Sequence, residues 1–373
     1  MIRDLDRHYM QRALQLAERG WGRVAPNPMV GALVVRDGVV VAEGFHAEWG
    51  KPHAEIKALQ AAAGKAKGAT LYVNLEPCHH MGKTGPCSRA IADAGIARVV
   101  CAARDPNPEA AGGAEWLREQ GIEVEEGVCE VEARDLNAVH LNAFSAKRPF
   151  LALKYAVSLD ARLSEVPGTR TRVSEGAAIV EAHRLRAGYD AVMVGVGTAL
   201  ADDPQLTVRE WGPVRVAPLR VVLDTELRLP LESKLVQTAR EWPVWVFAAR
   251  GADGKRAACL QGQGVEVVQV GREPGCERLD LGEVLARLWE RNVRSLLCEG
   301  GGKLGSAFLM AGYVDRLYLF IAPRLFGEPG VPAFQGGRGR GARDWRTIRR
   351  VEFAEVTLFE LKPEGAASAP SEP

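Results

Sequence analysis

The stretch that decides the reading is His53-Ala54-Glu55, followed by Leu75-Glu-Pro-Cys-His-His-Met-Gly-Lys-Thr-Gly-Pro-Cys87. It brings one imidazole, two thiols and a carboxylate into a short run of chain. A catalytic zinc ion takes three protein ligands and keeps a fourth position for water. His53, Cys78 and Cys87 supply such a set, with each cysteine ligating as the thiolate. Pro77 suits the first turn of a helix, so Cys78 is expected at a helix start, where the dipole favours the thiolate. Zinc lowers the pKa of bound water from roughly 15.7 to about 7 in the best-known case. Glu55 cannot easily share the metal with His53 and is better placed to carry a proton to a departing amine. Zinc deaminases divide the work in this way, with one His, two Cys and a glutamate that is not a ligand. Each piece alone is weak, because His-x-Glu and paired cysteines arise by chance; their combination in this order is what points to zinc catalysis. A structural zinc site is the competing reading. It would want a fourth protein ligand, for which His79 or His80 could serve.

Working outward, 373 residues are too many for one ordinary core and suit two domains. Apolar residues make up 47% and charged residues 25%, a globular composition. The net charge of +1 leaves no bulk field to draw the chain to nucleic acid or membrane. No apolar run is long enough to span a bilayer, and the first residues lack a signal-peptide pattern, so a cytoplasmic protein is expected. Seven cysteines in such a chain are not read as a disulfide framework. Six of the seven histidines precede residue 147, which directs the search for metal chemistry to the first half.

In that half, apolar spacing predicts a helix over 6–19, stopped by Ala25-Pro-Asn-Pro28. Val30–Val35 and Val39–Ala42, joined by Arg36-Asp37-Gly38, read as a buried hairpin. Pro52 precedes a helical stretch, so His53 and Glu55 are expected near a helix start. Strands are expected at 70–74 and 98–102, with helices after Cys87, over 113–120 and over 131–144. Strands joined through helices imply a partly parallel sheet covered on both faces.

Residues 1–146 resemble the deaminase domain of the bifunctional deaminase/reductase family of riboflavin biosynthesis. The resemblance is carried by Ala25–Gly31, Gly44-Phe-His46, His53-Ala-Glu55, Glu76-Pro-Cys78, Gly82–Cys87 and Asp105-Pro-Asn-Pro108. General cytidine deaminases have a much shorter Cys–Cys spacing. The family implies a cytidine-deaminase-like three-layer α/β/α domain, with one zinc ion per chain and substrate contacts at Asn27, His46, His80 and Lys83. Those residue types suit a phosphorylated aminopyrimidine, although His46 could equally be a hydrogen-bonded structural histidine. The family usually has a second glycine two residues after the one matching Gly112; here Ala114 stands there.

A boundary is expected near Ala146–Pro149, giving a second domain over 147–363 and a disordered tail over 364–373. Strands are expected at 150–157, 191–194, 219–223, 244–248, 265–270, 295–298, 318–321 and 351–361, with helices at 175–187, 281–290 and from Gly302 to Ala311. Glycine-rich turns end two of these strands, at Gly195-Val-Gly197 and Gly300-Gly-Gly302. Such turns let backbone amides approach phosphate, but neither fits the dinucleotide fingerprint, so a Rossmann domain is not supported. This half resembles the reductase domain of the same family, with a dihydrofolate-reductase-like α/β fold. The matching motifs are Ala152–Asp160, Val196–Arg209 and Glu299–Gly302. The resemblance implies NADPH contacts at Ala156, Thr198, Asp202 and the run Gly301, Gly302, Lys303, Leu304 and Gly305. It implies substrate contacts at Leu206, Arg209 and Glu299, with Lys154 placing charge near the sugar carbonyl during hydride delivery. A salt bridge is the plainer reading of Lys154. Arg209 suits a ribose phosphate, which a guanidinium can grip with two donors. The family usually has Ser where Arg170 stands, facing substrate, and Trp where Arg172 stands, facing cofactor. Two arginines there could bind phosphates of substrate or NADPH, or mark a rebuilt loop.

The resemblance therefore implies hydrolytic deamination of 2,5-diamino-6-(5-phosphoribosylamino)pyrimidin-4-one, then NADPH reduction of the ribosyl chain to ribityl, in a homodimer or higher homo-oligomer. Two other readings compete. Neutral charge argues against a deaminase of nucleic-acid bases. A deaminase fused to a non-catalytic second module is the alternative from another class, motivated by Arg170 and Arg172.

Overall fold

The computed structural model describes residues 2–81, 85–169, 171–335 and 344–365. Contacts divide the chain into two units, Met1–Ser145 and Ala146–Pro373.

In the first unit the elements run α1 (Ile2–Ala17), β1 (Gly31–Arg36), β2 (Val39–Phe45), α2 (Ala54–Ala62), β3 (Thr70–Val73), α3 (Cys87–Asp93), β4 (Arg98–Cys101), α4 (Gly113–Glu119), β5 (Glu123–Glu126), α5 (Glu130–Leu136) and α6 (Ala138–Ser145). The sheet order is β2-β1-β3-β4-β5. The β1–β2 hairpin turns at Asp37 (φ 51°) and Gly38 (φ 75°), the two positive-φ positions that a type I′ turn requires. Beyond the antiparallel β1–β3 pair, β3, β4 and β5 are parallel. Alternation along the strands sorts the core into two layers. Ala32, Val34, Leu71, Val73 and Val99 pack with Ala54 and Ala58 of α2, Ile91 of α3 and Leu117 of α4. Leu33, Val35, Tyr72 and Val100 face the other way, onto Met10, Ala13 and Leu16 of α1 and Ala133 of α5. The result is the expected three-layer α/β/α domain.

The helix expected over 131–144 is two helices that meet at Asn137. Its buried side chain accepts from Met29 N at 2.8 Å and donates to Met29 O at 2.9 Å, fixing the loop that enters β1. An asparagine side chain that serves a distant backbone in this way gives no periodic signal.

The second unit holds β6 (Phe150–Val157), β7 (Arg162–Ser164), α7 (Ala177–Ala187), β8 (Ala191–Gly195), α8 (Val196–Asp202), β9 (Leu219–Leu223), α9 (Lys234–Gln237), β10 (Val244–Ala249), α10 (Gly254–Gly262), β11 (Glu266–Val270), α11 (Leu281–Glu290), β12 (Ser295–Cys298), α12 (Gly302–Met310), β13 (Arg316–Ile321), β14 (Val331–Pro332), β15 (Trp345–Phe353) and β16 (Val356–Pro363). Nine strands form one sheet in the order β11-β10-β9-β8-β12-β6-β13-β16-β15. It is parallel from β11 to β13, then closes with the antiparallel strands β16 and β15. The single strand expected over 351–361 is thus a hairpin, turned at Ala354 (φ 50°), a residue type that gives no turn signal. Leu151, Leu153, Met193, Val221 and Phe247 pack on α11 and α12, while Val192, Val194, Val222 and Val246 face α8, α9 and α10.

α2, which carries the His53 and Glu55 end of the motif, is pressed against β2 at a glycine. A Cβ on Gly44 would stand 2.4 Å from Ala54 O and 2.5 Å from Ala58 N, backbone atoms that cannot step aside singly. Gly44→Ala is expected to lower the unfolding free energy by about 1–3 kcal/mol, read from urea denaturation of the full chain, and to loosen zinc retention.

Candidate active sites

His53 is the N-cap of α2, in an extended conformation (φ −66°, ψ 164°), with Glu55 in the helix's first turn. Cys78 lies in irregular chain after β3, not at a helix start. The cysteine at a helix start is Cys87, the first residue of α3, with Pro86 as N-cap. His53 Nδ1 lies 3.6 Å from Cys78 Sγ and 3.3 Å from Cys87 Sγ, and the three donor atoms all fall within 4.8 Å of one another. Hydrogen bonding between the two thiols lowers the pKa of Cys78 and raises that of Cys87.

Glu55 is buried, and its Oε2 has no hydrogen-bond partner among the described residues. Burial, then the nearby Cys78 charge, pushes its pKa up to about 7. An unpartnered buried carboxyl oxygen beside two thiols and an imidazole is costly unless a further group completes the site. This donor set fits zinc.

Around these residues, Asn27 Nδ2 lies 3.2 Å from His46 Nε2, and His46 Nδ1 lies 3.3 Å from Pro52 O. The His46 ring meets the His53 ring edge-on at 5.4 Å. His80 Nδ1 is buried without a hydrogen-bond partner among the described residues, whereas His79 is engaged with Ser88 Oγ at 2.9 Å. Lys83 and Arg170 lie outside the described residues. Glu76, beside Cys78, accepts from Asp105 N, Gly112 N and Ala114 N, and so holds the loop that closes this side of the domain. The departure at Ala114 is accommodated there: the residue is fully buried, and the close approach falls on Gly113, whose Cβ would stand 1.8 Å from Pro77 O.

In the second unit, β8 is followed through α8 by β9 on one side, and β12 through α12 by β13 on the other. The crevice of a parallel sheet opens where connections diverge in this way, at the carboxyl ends of β8 and β12. Both glycine-rich turns lie there, tied by Gly301 N donating to Thr198 Oγ1 at 3.0 Å and Glu299 N to Met193 O at 2.8 Å. Gly301 is the N-cap of α12, and a Cβ there would meet Thr198 Oγ1 alone, at 3.4 Å. That open backbone fits a phosphate-bearing cofactor. At Gly302 and Gly305 the side-chain position is filled from within. Their Cβ atoms would stand 2.2 Å from Pro332 O and 1.9 Å from the Tyr155 hydroxyl, so packing alone accounts for glycine at both. Lys303 and Leu304 continue the first turn of α12, and Asp202 ends α8.

Glu299 extends from the same edge and carries a pair that the sequence did not disclose. Arg186, on α7, donates to it from Nε at 2.6 Å and from a terminal nitrogen at 2.9 Å, while Lys154 Nζ lies 3.8 Å away. Burial alone would raise the Glu299 pKa, but Arg186 and then Lys154 outweigh it and hold the carboxyl down at about 2. Burial pushes Lys154 down, against the opposing pull of Glu299. Ala156 is on β6 with Lys154, and Leu206 is buried in the loop after α8. Arg209 donates from its side chain to Thr207 Oγ1 at 2.7 Å. Arg172 is exposed, and its carbonyl accepts from Arg324 at 3.0 Å. Arg186 and Glu299 are 113 residues apart, so no local period joins them.

Residues 3–103 match the cytidine and deoxycytidylate deaminase zinc-binding region, and residues 149–359 match the RibD C-terminal domain. The riboflavin biosynthesis protein RibD of Aquifex aeolicus is 44% identical over 88% of this chain and 90% of its own length. The chain belongs to the RibD family. RibD of Escherichia coli is 38% identical over 87% of this chain and 89% of its own. The solved Acinetobacter baumannii RibD covers 97% of this chain and 99% of its own with a TM-score of 0.81 at 35% identity. A Thermotoga maritima diaminohydroxyphosphoribosylaminopyrimidine deaminase/5-amino-6-(5-phosphoribosylamino)uracil reductase gives 0.80 at 35% identity, covering 97% and 100%. Membership of the RibD family makes this chain a deaminase and a reductase of riboflavin biosynthesis that uses zinc and NADPH. A second half unrelated to reduction is not favoured, since the RibD C-terminal domain spans it. Among the described residues no helix is long and apolar enough to cross a membrane.

Above pH 4.5 the charge on Glu299 stabilises the second unit, and that contribution is lost as pH falls through about 2. Arg186→Met is expected to cost on the order of 3 kcal/mol at pH 7, because it strands a buried carboxylate. The stability of the variant should also fall less between pH 4.5 and about 2 than that of the parent, measured by urea unfolding across pH.

Proposed function

We propose that the first unit deaminates 2,5-diamino-6-(5-phosphoribosylamino)pyrimidin-4-one and that the second reduces the ribosyl chain of the product to ribityl. The observation that carries the first assignment is the convergence of His53, Cys78 and Cys87 around a buried Glu55 that has no partner for Oε2 among the described residues. In this reading His53 and the two cysteines, as thiolates, hold zinc, which supplies a Lewis acid that brings water toward ionisation near neutral pH. Glu55 takes a proton from water and delivers it to the departing amine; its burial suits a group that must both accept and donate near neutrality. Asn27, His46 and His80 line the approach and bind the ring and its substituents, and Lys83 meets the phosphate.

In the reductase half, NADPH supplies the hydride, with Gly301, Thr198, Ala156 and Asp202 against it and Arg172 at its margin. Lys154 places its ammonium at the sugar carbonyl, where negative charge develops as hydride arrives, while Glu299 and Arg186 fix its position. Leu206 contacts the substrate, Arg209 grips its phosphate, and Arg170 adds a second cation. A homodimer or larger homo-oligomer and a cytoplasmic location belong to the same proposal.

Glu55→Ala is expected to retain about one zinc per chain by elemental analysis while losing deamination by two or more orders of magnitude; zinc loss in that variant would contradict the role given to Glu55. Cys87→Ser should lose the zinc itself. Lys154→Met should leave NADPH binding intact by fluorescence titration and lower kcat for NADPH oxidation about a hundredfold or more. A parent enzyme that releases ammonia yet leaves NADPH absorbance unchanged would refute the reductase assignment.

A further inference from the structure

The loop after α8 runs from Asp203 to Arg209 without regular structure. Asp203 (φ 41°) and Leu206 (φ 55°) both occupy the left-handed region. A non-glycine residue there costs roughly 1 kcal/mol or more, so the loop keeps this course only because its surroundings hold it.

Four side chains from outside hold it, at alternate residues. Lys234 N donates to Asp203 Oδ1 at 2.8 Å, and its Nζ to Asp203 O at 3.3 Å. Arg220 donates to Gln205 O at 3.2 Å, and Arg186 to Thr207 O at 3.1 Å. Arg209 N donates to His183 Nδ1 at 3.1 Å. Arg220 is fully buried and its terminal nitrogens also donate to the Thr238 hydroxyl and to the carbonyls of Leu235, Thr238 and Trp242, so it anchors the loop to the body of the unit.

His183 differs from the other three. It is buried on α7 with Arg186 one turn further along the helix; Arg186, Arg209 and Lys154 act on it as like charges and Glu299 as an opposing one. Burial, then Arg186 and Arg209, pushes its pKa down to about 4. The ring is therefore neutral at physiological pH, and accepting at Nδ1 puts its proton on Nε2. Protonation would abolish the acceptor and add a fourth cation.

We propose that His183 is a positioning residue of the reductase half: its neutral Nδ1 fixes the Arg209 peptide and thereby aims the Arg209 guanidinium at the substrate's phosphate monoester. The proposal rests on the assignment of Arg209 to that phosphate made above.

The test compares His183→Asn with His183→Gln in the full-length, zinc-loaded protein, assayed with NADPH and the deaminated phosphoribosylaminopyrimidine. The asparagine amide falls where Nδ1 stands and the glutamine amide where Nε2 stands. His183→Asn is expected to keep KM for the pyrimidine within about twofold, and His183→Gln to raise it about tenfold, the scale of one buried donor left unmatched. KM for NADPH and the deaminase rate should not move in either. Should the glutamine variant fail to fold, His183→Leu takes its place with the same expectation. Equal KM values for the two variants, or an effect confined to thermal stability, would overturn the proposal. Arg209→Met runs in parallel. If it leaves KM unchanged, the phosphate assignment falls and the role of His183 with it. If it raises KM while His183→Gln does not, the assignment stands and the role of His183 alone is lost.

Discussion

A carboxylate taken out of water must either keep a proton or be matched by cations, and the two halves of this chain adopt the two solutions. Glu55 is buried beside thiols with one oxygen unpartnered among the described residues, and its pKa rises to about 7. Glu299 is buried against Arg186 and Lys154, and its pKa falls to about 2. The first is a group able to pass a proton at neutral pH; the second is a permanent charge that fixes two cations. Environments that drive like groups apart in this way give the two carboxyls opposite protonation behaviour.

Each environment is built by the carboxyl end of a parallel strand and the start of a helix. β3 delivers Glu76 and Cys78 to the first site, where α2 and α3 present His53 and Cys87. β8 and β12 deliver Gly195 and Glu299 to the second, where α8 and α12 begin. Close backbone approach is decisive in both. Gly44 lets α2 lie on β2, and Gly305 lets α12 lie on Tyr155, each at a distance that a methyl group would forbid. Glycines of the Gly301–Gly305 run thus serve two purposes: one opens a surface, and the others permit packing.

Most elements were legible because they repeat: the valine-rich parallel strands, the hairpin at Asp37-Gly38, and the helices capped by Gly188 or opened by Gly302. The misses had physical causes. Asn137 ends a helix by bonding Met29 far away in sequence, Ala354 turns a hairpin with a residue that seldom does so, and Cys78 follows a proline that starts no helix. Short helices such as α8, α9 and α10 were missed because they are placed by the sheet beneath them, and their own apolar spacing is slight.

The sequence by itself determined the metal chemistry, because His53, Glu55, Cys78 and Cys87 are near one another along the chain and few functions need that set in that order. Only the tertiary structure decided how the second site is held. Arg186 meets Glu299 across 113 residues, and His183 meets Arg209 across 26. Such pairs form when a helix and a strand end are brought together by packing, and neither partner carries a local sign of the other.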